Sequence, residues 1–209
     1  MVKGFWGKKI GMTQVFSGDK AVSVTAIDVS RWFVTDIKTE ERDGYHAVQV
    51  GRVRKRYEQS KFSPDWLKKK KAYFQTVKEV RCIEPVKEVE IGKEATFYEG
   101  FQEGNSVDVR GVSKGCGFAG VVRRHNFSGG PKTHGSTMGR RTGSIGFMCA
   151  CGKVIKGKKM PGHMGVDQCV VENLEVIRVS KDKKIVLVKG AVPGKSGSPL
   201  FVRSGVKHG

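Results

Sequence analysis

Between positions 111 and 166 this sequence contains neither aspartate nor glutamate. Surface segments ordinarily interleave both signs, so a stretch of that length without acids excludes a self-paired, ion-laced surface there. Acids are scarce throughout: 20 Asp and Glu stand against 39 Lys and Arg, a net charge of +19. A surplus that large calls for a polyanionic partner, and nucleic acid is the first to consider. Long hydrophobic runs are missing too. None approaches the ~18–20 residues of a spanning helix, and no basic amphipathic helix stands out, which argues against a membrane partner. The opening MVKGFWGKKIGMTQVF has no apolar run or cleavage site and does not read as a signal peptide. Its Phe5, Trp6, Ile10, Met12, Val15 and Phe16 read instead as part of a core. Cysteine is sparse and odd in number, at positions 82, 116, 149, 151 and 169. Five thiols cannot all pair, which excludes a complete disulfide framework and favours a reducing compartment. The Asn126-Phe127-Ser128 sequon is then idle.

What is present reads as mainly β. Residues 21–29, 45–53, 86–91, 106–112, 170–179, 185–188 and 199–202 alternate or run β-branched, and turn signals such as 17–19 and 180–182 separate them. Short strands at that spacing predict a small antiparallel β-barrel. One short helical region is expected within 63–80: Ser63 can cap it, Pro64 suits its first position, and Asp65-Trp66-Leu67 opens it towards Phe74. It carries Lys68 to Lys71, which serve equally as a solvated face or a binding one. Residues 111–166 differ. They hold 14 of the 28 glycines and ten Lys or Arg, with no sustained apolar period. Such a segment buries too little to order itself alone, and a partner is expected to order it. The expected organisation is a barrel from 1–110 and 167–209, with 111–166 as a long, irregular, basic, glycine-rich extension.

Three motifs invite catalytic or cofactor readings. GCGFAGVV at 115–122 matches both the dinucleotide fingerprint and the kinase glycine loop. The first needs a helix and an acid about 20 residues on, yet VVRRHNFSGGP follows and the next acid is Asp167. The second needs a V-A-I-K lysine, H-R-D and D-F-G, which are missing. GAVPGKS at 190–196 approximates a phosphate loop with its glycines one residue too close, and reads as a turn after a strand. Cys149-Ala150-Cys151 with Cys169, His134 or His163 suggests zinc, but structural zinc prefers C-x2-4-C pairs, and small reduced cysteines are the plainer reading. A Cys/His hydrolase lacks any acid or base near these residues in sequence.

The chemistry that fits is RNA binding. Arg123-Arg124-His125-Asn126-Phe127 sets two guanidiniums beside an imidazole, an amide and a phenyl ring. Arginine forks bind phosphate in bidentate fashion and flat side chains stack on unpaired bases. Lys132, His134, Arg140, Arg141, Lys153, Lys156, Lys158 and Lys159 continue the series. Glycines between them let backbone approach a crowded polyanion.

Four blocks carry a resemblance to a known family: GFWGKKIGMTQVF (4–16), SKGCGFAGVVRRHNFSGGPKTHGS (113–136), GSIG with CGKVIKGKKMPGHMG (143–165), and LVKGAVPG (187–194). The chain resembles the bacterial large-subunit ribosomal protein three, over nearly its whole length. The resemblance implies a β-barrel bearing an extension that enters the RNA core. It also implies direct binding to large-subunit rRNA, a part in starting subunit assembly, and an extension tip near the peptidyl transferase centre. By motif, Lys114, Arg123, Arg124, His125, Asn126, Lys132, His134, Arg140, Arg141, Lys153, Lys156, Lys158, Lys159 and His163 would line RNA. Phe147, Met148 and Cys149 would form the tip. Many members have Pro-Gly where this chain has Cys151-Gly152, and some carry a methylated glutamine where it has Cys149, which cannot accept that modification. The expected partners are large-subunit rRNA and neighbouring ribosomal proteins in a cytoplasmic ribosome. No cofactor, metal, membrane, small-molecule substrate or enzymatic activity is expected. The alternatives are a nucleic-acid chaperone outside the ribosome and, further off, a Cys/His metal-site protein.

Overall fold

A computed structural model of the chain describes residues 4–60, 62–83, 89–147 and 152–205. The chain divides into two compact units, one comprising residues up to Val112 and those from Gln168, the other Ser113–Asp167.

In the first unit, alternation closes a sheet on itself. Strands β1 (Gly4–Ser17), β2 (Lys20–Asp28), β6 (Ser106–Val112), β9 (Gln168–Ser180), β10 (Ile185–Lys189) and β11 (Pro199–Ser204) form a closed antiparallel barrel in the order β1-β11-β6-β9-β10-β2. Every second residue points inward, so Phe5, Ile27, Val107, Val109, Val186, Val188, Leu200 and Val202 meet in one core with Phe101 and Val176. Each such side chain contributes about 1.5–3 kcal/mol on burial. At Gly7 the walls pass so closely that a Cβ would lie 2.4 Å from Ile27 Cγ2. The β6–β9 ladder shifts register between Val107 and Val109. Asp108, 4% exposed, supports that bulge: it accepts from the Asn173 N–H at 3.1 Å and from Arg203 Nε at 3.0 Å.

Strands β3 (Trp32–Lys38), β4 (Ala47–Val53) and β5 (Phe74–Arg81) form a separate sheet over Trp32, Val34, Val48, Val50 and Val80. The 45–53 alternation therefore marks a strand of this sheet, not of the barrel. Its neighbours β3 and β5 were not foreseen, because Asp36 and Lys78 interrupt their apolar runs. Instead of one helix after Ser63 there are α2 (Asp65–Lys68) and α3 (Lys70–Tyr73), following α1 (Glu40–Asp43). The break falls at Lys69, with φ −116 and ψ 51, and Pro64 rather than Ser63 occupies the N-cap. Trp66 docks against Val53 and Phe74, and that contact holds the short helices to the sheet. Of the expected strand 86–91, residues 89–91 run through a loop into a turn and the rest lie outside the described residues. At the N-terminal end Phe5 is buried, but Ile10, Met12 and Phe16 are exposed, because β1 continues past the barrel core as a hairpin with β2.

The phosphate-loop look-alike has a different office. Lys9 is 7% exposed, and its ammonium donates to the carbonyls of Val192 at 2.8 Å and Gly194 at 3.0 Å. A phosphate loop aims N–H groups at an anion, whereas this turn aims carbonyls at a cation. Lys9→Met is expected to lower the unfolding free energy by about 1.5–3 kcal/mol, the range for hydrogen bonds to charged groups. Urea unfolding followed by tryptophan fluorescence measures it, and an unchanged midpoint would show the turn to be held by other contacts.

Candidate nucleic-acid interface

The second unit is short of apolar burial but not featureless. Strands β7 (Gly117–Ala119) and β8 (Gly162–Met164) pair antiparallel, and helix α4 (Val121–His125) follows β7 directly. Ala119 and Val121, 4% and 2% exposed, are its buried apolar side chains among the described residues. Hydrogen bonds between distant segments do the rest. The Ser113 N–H donates to the Asp167 carbonyl at 2.9 Å, the Asp167 N–H to Ser113 Oγ at 3.1 Å, and the Cys116 N–H to the Met164 carbonyl at 2.9 Å. Gly165 has φ +84, and a Cβ there would lie 2.2 Å from the Lys114 carbonyl oxygen, so only glycine allows the two segments to approach.

The RRHNF block folds as the helix and its cap. Arg124 Nη1 donates to the Met160 carbonyl at 2.9 Å, and His125 Nε2 lies 3.1 Å from the same oxygen. Two of the expected RNA ligands are thus turned, in part, onto the chain itself, fixing the backbone of the KKMPGH segment. Gly162 makes room: a Cβ there would stand 2.5 Å from Arg124 Nη1. Arg123 points elsewhere, with Nη2 3.4 Å from Cys116 Sγ. Asn126 ends the helix in the left-handed region, φ 58 and ψ 38, a conformation asparagine tolerates.

The remaining candidates spread over loops. Lys114, Lys132, His134, Arg140, Arg141, Lys156, Lys158, Lys159 and His163 are exposed, as are Arg123 and Arg124. None of these forms an ion pair with a described carboxylate; the described pairs, such as Arg52–Asp28 at 2.7 Å and Arg203–Asp108 at 2.9 Å, belong to the first unit. Lys153 is exposed as well. Arg141 lines a concavity of about 420 Å³ with Asn126, Phe127, Ser128, Met138 and Thr142. That surface brings one guanidinium, an amide, two hydroxyls and a phenyl ring together. His163 lies on β8 opposite Phe118. Phe147 is 59% exposed, while Met148 and Cys149 lie outside the described residues.

The cysteine readings gain no geometry. Cys149 and Cys151 lie outside the described residues, and Cys169 is on β9 of the first unit. Burial pushes the Cys82 thiol above its ordinary value, which disfavours the thiolate a nucleophile needs. The lysine run on α2 and α3 is partly committed: Lys70 donates to Gln49 Oε1 at 2.7 Å and Lys68 pairs with Asp65 at 3.2 Å. A basic cluster not anticipated from the sequence, Arg54, Lys55 and Arg56, adjoins Gln75 in the first unit. Its signal was the RVRKRY string, which straddles the end of β4 and so shows no single period.

Arg124→Ala is expected to speed amide exchange at Cys116 about 3- to 10-fold, as loss of a hydrogen bond worth ~1 kcal/mol loosens the β7–β8 ribbon. Gly162→Ala should do the same without removing a charge. If only the charge-removing variant had an effect, Arg124 would not be acting through Met160.

The comparisons with known proteins agree on one family. Residues 75–191 match the family model described as Ribosomal protein L3. The protein named "Large ribosomal subunit protein uL3" of Syntrophus aciditrophicus is 42% identical over 210 residues, covering 99% of this chain and 95% of the relative. Its namesake from Alkaliphilus metalliredigens is 42% identical over 217 residues, with both chains covered in full. That of Thioalkalivibrio sulfidiphilus is 44% identical over 216 residues, covering 99% of each. With near-complete coverage at such identity, the chain belongs to the ribosomal protein L3 family.

Proposed function

We propose that this protein is a structural constituent of the large ribosomal subunit and binds large-subunit rRNA directly through residues 113–167. The observation that carries this is charge: ten cations and a single carboxylate, Asp167 at its boundary, in one unit. Phosphate neutralisation by those cations supplies most of the affinity through counterion release. Arg123, Arg140, Arg141 and Lys156 to Lys159 make the backbone contacts, while Arg124 and His125 contribute chiefly by holding the 158–163 segment in place. Such contacts position a folded RNA more than they read its sequence. The family resemblance adds two finer roles: helping to begin subunit assembly, and placing the tip around Phe147, Met148 and Cys149 near the peptidyl transferase centre.

Deletion of residues 135–160 removes six of the ten cations. The shortened protein is expected to keep its barrel's unfolding transition yet bind large-subunit rRNA roughly 100-fold more weakly at moderate salt, and to enter subunits poorly. Filter binding and sucrose gradients of reconstituted particles measure both. A deleted protein that assembled fully active subunits would contradict the proposal. Equal affinity of the intact protein for unrelated RNA would favour a general nucleic-acid chaperone.

A further inference from the structure

The β7–β8 ribbon carries an aromatic pair with nothing on it. Its register sets Phe118 directly opposite His163. Residues so opposed project from the same face, with Cβ atoms about 4.5–5.5 Å apart. Ala119, next along the strand, projects from the other face and is 4% exposed, whereas Phe118 is 79% exposed. One face of the ribbon is therefore packed and the other bare. Among the described residues neither ring stacks on another ring, pairs with an ion or forms a side-chain hydrogen bond. A phenyl group presented to water on three residues of strand earns nothing from the fold.

We propose that Phe118 and His163 form a stacking site for one unpaired nucleobase of the bound RNA. The inference rests on the rRNA-binding reading above and adds a site to it. Three observations select a base over an apolar protein surface. The unit holding the pair has ten cations and one acid, so the polymer drawn to it is an anion. The pair consists of two flat π systems, the groups on which unpaired bases stack, instead of the branched aliphatics that fill protein contacts. And the Arg123 guanidinium lies 3.4 Å from the Sγ of Cys116, the residue two before Phe118 in sequence, where a phosphate flanking a stacked base can be gripped. The platform is also built before its ligand arrives. The Cys116–Met164 hydrogen bond and the Gly165 close approach hold the ribbon from one end, and Arg124 on the Met160 carbonyl holds it from the other. Stacking has no base preference of its own, because every base has a π face, so the site contributes affinity and register, not sequence readout.

The test uses the full-length protein and large-subunit rRNA, with filter binding across a salt series. Phe118→Ala is expected to weaken binding about 5- to 150-fold, the range for removing one stacking ring, with the slope of log affinity against log salt unchanged. Phe118→Trp should bind as the wild type does, which also shows that the ribbon survives substitution at this position. Phe118→Leu, apolar but not flat, should lose nearly as much as alanine, and His163→Ala should lose a smaller factor. Wild-type affinity of Phe118→Ala would overturn the site while leaving the rRNA reading intact, and so would full recovery by leucine. Normal binding of Phe118→Ala to naked rRNA combined with poor retention in assembled subunits would give the face to a protein neighbour and overturn the proposal. If the wild-type protein failed to bind rRNA, the broader reading would fall with it.

Discussion

A segment with ten cations and one carboxylate cannot neutralise itself, and the organisation of residues 113–167 follows from that constraint. Two like charges 6 Å apart repel by about 0.7 kcal/mol in water, and screening removes most of what lies beyond roughly 8 Å at physiological salt. Single repulsions are tolerable; a net charge of +9 in one small unit is not neutral in effect. The unit therefore relies on contacts that need no acid. Backbone pairs such as Ser113–Asp167 and Cys116–Met164 hold it, and charged side chains are aimed at uncharged acceptors, Arg124 at the Met160 carbonyl and Arg123 at Cys116 Sγ. The first unit solves the same problem differently. It spends its acids on internal pairs, Asp108 on Arg203 and Asp28 on Arg52, and carries its apolar residues into cores.

Lysine and arginine thus do two jobs in one chain, and burial tells them apart. Lys9 is enclosed and its ammonium is met by the carbonyls of the 192–194 turn, so it acts as a structural cation that rigidifies the barrel rim. Lys156, Lys158 and Lys159 are exposed on a turn that the Lys158 N–H closes onto the Ile155 carbonyl, and in the proposed function their ammonium groups are the ones offered to phosphate. Arg124 stands between: exposed, yet bound on one side to backbone. Its planar fork carries five N–H donors against the three of a lysine ammonium, so more of them remain after one contact.

The barrel was legible because its strands alternate over five or more residues, and because Gly18 and the 180–182 turn punctuate them. The separate sheet was harder to see. Its strand β5 follows immediately on α3 at Phe74, so a helical start signal at Ser63-Pro64 masked a strand ten residues later. The basic segment announced itself by composition, since missing acids need no periodicity to be noticed. Its internal order did not. A three-residue strand is too short to show alternation, and its partner Gly162–Met164 lies more than 40 residues away. The pairing of Phe118 with His163 is a matter of register, and register across so long a loop leaves no trace in a single sequence. The role of Arg124 was hidden for the same reason: Met160 is remote in the chain and contributes only its backbone.

The central claim is that charge on residues 113–167 drives association with rRNA, and the salt dependence of binding tests it most directly. If about five of the ten cations each neutralise a phosphate, log affinity should fall with log salt at a slope of roughly −3.5 to −4.5. Replacing Arg140 and Arg141 together by glutamine should flatten that slope by about 1.5 units. A slope near zero, or one indifferent to those two residues, would contradict the account.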